Sequence, residues 1–166
     1  MEKRIVLAGG CFWGVEAYFK QLKGVIKTSV GYVNGNIANP TYEDLCNHRA
    51  THAEACEIIY ENSVLSLSDL LKHLFRFIDP FSINRQGHDI GLQYRTGIYY
   101  QTEDDYLEAK QFIDQIQKNT IRKVQVEIKE ETKYYLAETY HQDYLDKNPG
   151  GYCHVDLGLV KKEEKK

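Results

Sequence analysis

Cys11 stands at a place in the chain that could make a thiol reactive. Residues 4–8 before it form a short apolar run typical of a strand. Apolar residues then recur at helical spacing: Phe12, Val15, Phe19 and Leu22. Cys11 is therefore predicted at a strand-to-helix turn made by Gly9 and Gly10, where free N–H groups and the helix dipole stabilise a thiolate, the reactive form of cysteine. The alternative is a buried structural thiol, because free cysteine is often buried.

Cys153 is a candidate for a second thiol in the same chemistry. It follows Gly150 and Gly151 in a turn-rich segment. Glycine flanks let such a loop move, which suits a thiol that must reach another one. Four cysteines in 166 residues are too few for a disulfide scaffold. A disulfide in this chain is therefore expected to be catalytic rather than structural.

Glu54 is a candidate proton donor. Residues 52–61 alternate in the way a strand does, and Glu54 shares its face with Cys56, Ile58 and Tyr60. A carboxyl group on this less polar face should have a raised pKa and could donate a proton near neutral pH. The alternative places Glu54 at the end of the strand, in water.

The remaining pattern supplies the elements that must position these groups. Strands are predicted at 25–33, 98–100 and 124–129, and a short helix at 137–145. Two amphipathic helices are predicted to begin at Ser66 and at Thr102, each with an aspartate three residues later. The order predicts an α+β fold, a two-layer sandwich of a mixed β-sheet with packed helices. Between the two helices, the long aperiodic stretch 79–94 is expected to be functional.

Charge and hydropathy argue against nucleic-acid and membrane partners. A net charge of −3 with scattered lysines gives no basic surface for nucleic acid. No apolar run reaches membrane-span length and no signal-peptide pattern is present, so we expect a cytoplasmic protein without a membrane partner. Residues 1–157 are predicted to form a single domain. Residues 158–166, a charged tail, are expected to be disordered.

Two other functions compete with thiol chemistry. Cys46, His48, His52 and Cys56 offer the ligand types that zinc takes, but their spacing matches no common closed site. Cys46, one helical turn after Tyr42, is interpreted as a packing residue. Cys56, on the face of Glu54, is interpreted as a small core residue, with a redox role as the alternative. The chain also has 13 tyrosines against 6 phenylalanines, which a binding module without enzymatic activity could use as its surface. That second alternative leaves the positions of Cys11 and Cys153 unexplained.

A set of motifs in one order resembles a known family. The motifs are Gly-Cys-Phe-Trp-Gly at 10–14, Gly31-Tyr32, Asn39-Pro40-Thr41-Tyr42, His52-Ala53-Glu54, Asn84-Arg85-Gln86-Gly87 with Asp89, Gln93-Tyr94-Arg95 and Tyr140-His141-Gln142. Together they are similar to the type A peptide methionine sulfoxide reductases, which act on the S epimer of methionine sulfoxide. The match runs from Cys11 to Cys153, and it implies one catalytic domain with a ferredoxin-like α-β plait core.

The resemblance implies a role for each residue of the reaction centre. Cys11 is the nucleophile that attacks the sulfoxide sulfur, and Glu54 is the acid that protonates the oxygen. Tyr42 and Tyr94 hydrogen-bond that oxygen through their hydroxyl groups. Asp89 orients the site and gives it polar support.

The resemblance also implies the surroundings of the reaction and its second half. Phe12 and Trp13 form the aromatic pocket for the substrate's methyl group. After oxygen transfer, Cys153 resolves the sulfenic acid on Cys11 as a disulfide, which thioredoxin reduces. No metal or organic cofactor is implied, and we expect a monomer. The departures from the commonest family sequence, Val33-Asn34-Gly35, Ala50-Thr51 and Ile78, fall outside these positions.

Overall fold

Eight strands and five helices make up the protein, which a computed structural model describes over residues 1–166. The strands are β1 Glu2–Gly9, β2 Val25–Val33, β3 Ala53–Glu61, β4 Arg85–Gln86, β5 Asp89–Ile90, β6 Thr96–Tyr100, β7 Glu127–Glu130 and β8 Tyr134–Leu136. The helices are α1 Phe12–Phe19, α2 Tyr42–Cys46, α3 Leu67–Phe77, α4 Glu103–Lys118 and α5 Tyr144–Lys147. Short 3₁₀ turns lie at Leu92–Tyr94, Thr139–His141, Leu157–Leu159 and Lys162–Glu164.

Six of the strands form one mixed sheet in the order β7-β6-β1-β3-β2-β8. All neighbours are antiparallel except β6 and β7, which are parallel. Within the central four strands, α1 connects β1 to β2, and α3 lies between β3 and β6. Two crossovers that each skip one strand give the ferredoxin-like α-β plait, so the predicted fold class is confirmed.

The alternation predicted for residues 52–61 matches the burial of β3. Cys56, Ile58 and Tyr60 belong to the main core, together with residues of α1 and α3. Ala53 and Ala55 pack in a smaller cluster with residues of β1 and β6. Because both faces of β3 are covered, the strand holds Glu54 inside the protein rather than at an edge.

Side-chain caps begin the two long helices where the sequence predicts them. Ser66 Oγ accepts the Asp69 N–H, and the Asp69 carboxylate accepts the Ser66 N–H, which is a complete capping box. Thr102 Oγ1 accepts the Asp105 N–H at the start of α4. Their apolar faces pack on the sheet, so these helices serve the core.

Two predicted elements differ in the structure. Strand β7 begins at Glu127, three residues later than the predicted start at Val124. The predicted helix at 137–145 is a 3₁₀ turn followed by α5, because Asp143 has a φ of 53° and no α-helix continues through that conformation. That break lets the Asp143 N–H bond to the buried Glu16 instead of to its own helix.

Residues of the predicted tail make specific contacts with the rest of the chain. Val160 is buried, and the main chain of Lys23 and Lys166 bonds to Glu164 and Gln21 respectively. Arg76 donates two hydrogen bonds of 2.8 Å to the Glu164 carboxylate. The Arg76–Glu164 ion pair is bidentate, and main-chain hydrogen bonds add to it. The charged sequence of the tail does not by itself indicate these contacts.

None of the helices combines the length and the apolar character that crossing a membrane requires.

Candidate active site

Cys11 lies at the turn between β1 and α1, as predicted. Gly10 has a φ of +92°, which favours glycine, and a methyl group on it would come within 2.8 Å of both Gln86 and His154. Cys11 is the residue just before α1, and only 8% of it is exposed. The tight turn at Gly10 therefore places the Cys11 thiol at the start of α1, where it is buried.

Burial decides the charge state of this thiol. It raises the pKa of Cys11 well above the usual range, the nearby Glu54 raises it further, and the Trp13 N–H lowers it. Desolvation therefore opposes the thiolate that the helix start was expected to favour, and it favours the neutral thiol.

Glu54 is buried beside this turn, with 1% of its surface exposed. Its Oε1 accepts the Phe12 N–H at 3.3 Å, while Oε2 is buried and has no hydrogen-bond partner. Burial raises the pKa of Glu54 to about 8; the Phe12 N–H opposes the shift and Asp89 adds to it. The group is therefore a protonated acid at neutral pH with one oxygen free, which rules out the alternative of a solvated strand end.

Tyr42 and Tyr94 lie near both Cys11 and Glu54. Burial is the main cause that raises the pKa of each tyrosine, and the Glu54 carboxyl is the next one. Tyr42 begins α2, whose capping box is formed by Thr41, and Tyr94 ends the 3₁₀ turn before β6. Both hydroxyl groups stay protonated and can donate hydrogen bonds.

Glu138 holds Tyr42 in place. Its Oε2 accepts the Tyr42 N–H at 2.9 Å, and its Oε1 accepts the Tyr32 hydroxyl at 2.7 Å. No motif or spacing in the sequence marks Glu138 as a residue of the site.

Asp89 lies in the β4–β5 hairpin and reaches the segment of Cys153. Its Oδ2 accepts the Tyr152 hydroxyl at 2.9 Å. The hairpin itself is anchored by the buried Gln86, whose amide bonds both the N–H and the carbonyl of Asp79. Asp89 thus connects the long loop at 79–94 to the C-terminal segment.

The two predicted pocket residues differ in exposure. Phe12 is fully buried against Tyr32 and His141, with ring centroids 5.7 and 5.1 Å away. Trp13 is partly exposed, stacks on Tyr144 at 3.7 Å, and donates its indole N–H to His141 Nδ1 at 2.9 Å. Of the two rings, Trp13 is therefore the accessible one. His141 was quoted in a motif but given no role, and here it orients Trp13.

Cys153 is less free than the sequence suggests. Its thiol donates to the Val155 carbonyl at 3.2 Å, and its neighbours Tyr152 and His154 each make a hydrogen bond to Asp89 and Gly9 respectively. A methyl group on Gly14 would lie 3.0 Å from Cys153 Sγ, which places this thiol over the first turn of α1.

The residues of the zinc alternative are not brought together. His52, just before β3, and Cys56 within β3 are buried, whereas Cys46 and His48 are exposed. No group of three histidine, cysteine or acidic side chains is arranged to hold a metal ion.

Comparison with known proteins decides the family. The sequence model described as "Peptide methionine sulfoxide reductase" matches residues 3–166. The chain belongs to this family. As a peptide methionine sulfoxide reductase, the protein is an oxidoreductase, and the expectation from the motifs is confirmed.

The relatives are similar over nearly the whole chain. A peptide methionine sulfoxide reductase MsrA of Ureaplasma urealyticum is 50% identical over 162 residues, which cover 98% of each chain. One from Clostridium perfringens is 50% identical over 155 residues, covering 93% of this chain and 99% of the relative.

Solved structures of reductases share the fold. Mxr1 from Saccharomyces cerevisiae in reduced form is 36% identical with a TM-score of 0.87, covering 94% of this chain and 92% of Mxr1. Methionine sulfoxide reductase A of Corynebacterium diphtheriae is 31% identical with a TM-score of 0.80, covering 92% and 77%. Mxr1 in complex with Trx2 is 27% identical with a TM-score of 0.60, covering 86% and 84%.

Proposed function

We propose that this reductase converts the S epimer of methionine sulfoxide, free or in proteins, to methionine with Cys11 as nucleophile and Glu54 as acid. The observation that carries the proposal is the unpartnered Oε2 of Glu54, a buried acid oxygen near the thiol. A sulfoxide oxygen leaves sulfur only when it is protonated, so the reaction needs such a donor.

The first step is an oxygen transfer that keeps the site neutral. Cys11 sulfur attacks the sulfoxide sulfur while Glu54 gives its proton to the oxygen. The thiol proton of Cys11 passes to the Glu54 carboxylate, and the oxygen moves to Cys11 as a sulfenic acid. Methionine leaves, and Glu54 ends protonated again.

The oxygen and the methyl group are held by separate side chains. Tyr42 and Tyr94 donate their hydroxyls to the oxygen, since both remain protonated near Glu54. The partly exposed Trp13 forms the apolar wall for the methyl group, and the buried Phe12 supports that wall through their shared neighbour His141. Asp89 supports the site through Tyr152.

Cys153 then resolves the sulfenic acid. Its sulfur bonds to Cys11 sulfur, the S–O bond breaks, and the oxygen leaves as water. Thioredoxin supplies two electrons to reduce this disulfide, a proposal supported by the solved complex of the related Mxr1 with Trx2. Sulfur alone carries the electrons, so the scheme uses no metal or organic cofactor.

The scheme also suggests how the protein works in the cell. The proposed groups lie between Cys11 and Cys153, within a catalytic domain of residues 1–157 that we expect to act as a monomer. Free thiols regenerated by thioredoxin suit the cytoplasm.

A single-turnover assay with methionine-S-sulfoxide and no external reductant tests the proposal. We expect one methionine formed and two thiols lost per chain, with a disulfide mapped to Cys11 and Cys153. Methionine without that link would remove Cys153 from the scheme. No methionine would overturn the proposed reaction.

A further inference from the structure

His154 is fixed against the turn that carries Cys11. Its Nε2 lies 2.8 Å from the Gly9 carbonyl oxygen. A carbonyl oxygen only accepts hydrogen bonds, so Nε2 carries the ring proton. This contact assigns the tautomer and leaves Nδ1 with a free lone pair.

Nδ1 of His154 is a buried base without a partner. It has no hydrogen bond, although most buried polar atoms have one. Burial lowers the pKa of His154 and so keeps the ring neutral; the Gly9 carbonyl and the Asp89 carboxylate oppose this shift. The other groups around the ring are the Cys153 thiol beside it in sequence and the uncharged Phe77 ring from α3 at 6.5 Å. A lone pair is therefore available to accept a proton.

Nδ1 and the Cys153 thiol face the same point over α1. A methyl group on Gly14 would lie 3.3 Å from His154 Nδ1 and 3.0 Å from Cys153 Sγ. The thiol now donates to the Val155 carbonyl at 3.2 Å, and this acceptor cannot take the proton away. A transfer of this proton to His154 would require the Cys153 side chain to rotate from that carbonyl towards Nδ1.

We propose that His154 accepts the thiol proton of Cys153 as that cysteine attacks the sulfenic acid on Cys11. The inference rests on the proposed function and adds a base to its second step. Cys153 sulfur bonds to Cys11 sulfur as its proton moves to His154 Nδ1. The S–O bond breaks, and the departing hydroxide takes the proton of Glu54 and leaves as water. The histidine then returns its proton to Glu54 through solvent, so atoms and charges balance.

The pKa of the thiol explains why a base is needed. Burial raises the pKa of Cys153 above its usual value, so little thiolate exists at neutral pH. A positioned base contributes about 10²–10⁴-fold to such a proton transfer.

His154→Gln and His154→Asn separate this role from a structural one. A glutamine amide N–H can still bond the Gly9 carbonyl but offers no base at Nδ1. Asparagine loses the contact to Gly9 and also lacks the base. His88→Gln, at an exposed histidine of the neighbouring hairpin, is the matched control.

The experiment is a rapid-quench single turnover with methionine-S-sulfoxide between pH 6 and pH 9.5, which follows methionine and the Cys11–Cys153 disulfide separately. For His154→Gln we expect methionine formation within about twofold of the unchanged protein and disulfide formation slower by about 10²-fold at pH 7. The loss should shrink tenfold per pH unit as Cys153 ionises unaided. His88→Gln should match the unchanged protein in both steps.

Three outcomes would overturn the role of His154. The first is disulfide formation at an unchanged rate and pH profile in His154→Gln. The second is an equal slowing of both steps, which marks a structural role. The third is a loss seen only in His154→Asn, which assigns the effect to the Gly9 contact. In each case methionine formed by the unchanged protein keeps the proposed function intact, whereas its absence there would reject that function first.

Discussion

Two buried glutamates lie near helix α1 and differ in one respect. Glu16 within the helix and Glu54 beside its start are 2% and 1% exposed, and burial raises the pKa of both. Glu16 Oε1 accepts the Asp143 N–H at 2.8 Å, and its Oε2 accepts the Thr28 hydroxyl at 2.9 Å. Glu54 has one long hydrogen bond from Phe12 and a free Oε2.

The comparison separates a structural carboxyl group from a chemical one. The two oxygens of Glu16 accept hydrogen bonds that tie α1 to β2 and to the start of α5, so this carboxyl group has a structural role. Glu54 is buried without such hydrogen bonds on both oxygens. Its neutral form is therefore favoured, and Oε2 is left free to bond a substrate. Burial by itself therefore does not mark the acid; the unpartnered oxygen does.

The largest effect is expected from removing the thiol that Glu54 serves. Cys11→Ser should form no methionine above the uncatalysed rate, because a serine hydroxyl is a far weaker nucleophile toward sulfur. Cys56→Ala, at a buried core thiol, is the control and should retain methionine formation. The methionine yield of a single turnover measures the activity of both variants. A burst of methionine from Cys11→Ser would show that Cys11 is not the nucleophile.

The next effect tests the two carboxyl groups directly. Glu54→Gln should slow methionine formation by about 10²–10³-fold, since the amide cannot protonate the leaving oxygen. Glu16→Gln makes the same carboxyl-to-amide change where both oxygens are hydrogen-bonded, and its rate of methionine formation should stay within about twofold. Similar rates of methionine formation for the two variants in rapid-quench assays would contradict the assignment of Glu54 as the acid and Glu16 as a structural group.

Glu54→Gln, which should lower activity, should raise the stability of the folded protein at neutral pH. With the folded pKa of Glu54 at about 8 and an ordinary value of 4.5, the folded state binds the extra proton, and the unchanged protein loses stability as pH rises from 4.5 to 8. Glu54→Gln escapes this loss and should gain about 3 kcal/mol at pH 7 relative to its difference at pH 4. Denaturant unfolding at both values measures it. A difference that does not change with pH would mean an ordinary carboxylate.

The smallest effects are expected at the tyrosines. Tyr42→Phe and Tyr94→Phe should each slow methionine formation a few-fold, because the other hydroxyl still holds the oxygen. The double variant should lose about 10²-fold, as when a stabilising donor is removed altogether. Tyr106→Phe on α4 is the control. A double variant no slower than either single one would remove the tyrosines from the first step.

Local patterns predicted much of this arrangement. The glycine turn placed Cys11, and period-two alternation placed Glu54 on the inner face of β3. The helix caps at Ser66 and Thr102 follow from side chains three residues apart. Each of these features depends on neighbours in sequence, so one sequence suffices to find it.

The features that escaped prediction depend on contacts between distant segments. The break at Asp143 lets its N–H bond to Glu16, and the C-terminal residues contact the rest of the chain where Glu164 meets Arg76. The raised pKa of Cys11 follows from burial by the whole fold, which opposes the effect of the local helix start. Partners more than 80 residues apart leave no pattern in a single sequence.

The protonation state of Glu54 is the central claim, and infrared difference titration tests it most directly. The protonated carboxyl band, taken as the spectrum of the unchanged protein minus that of Glu54→Gln, is followed from pH 5 to pH 10. We expect the band to be present at pH 6 and to disappear with a midpoint near 8. A carboxylate signal already complete at pH 6 would contradict the account, because Glu54 would then hold no proton to give.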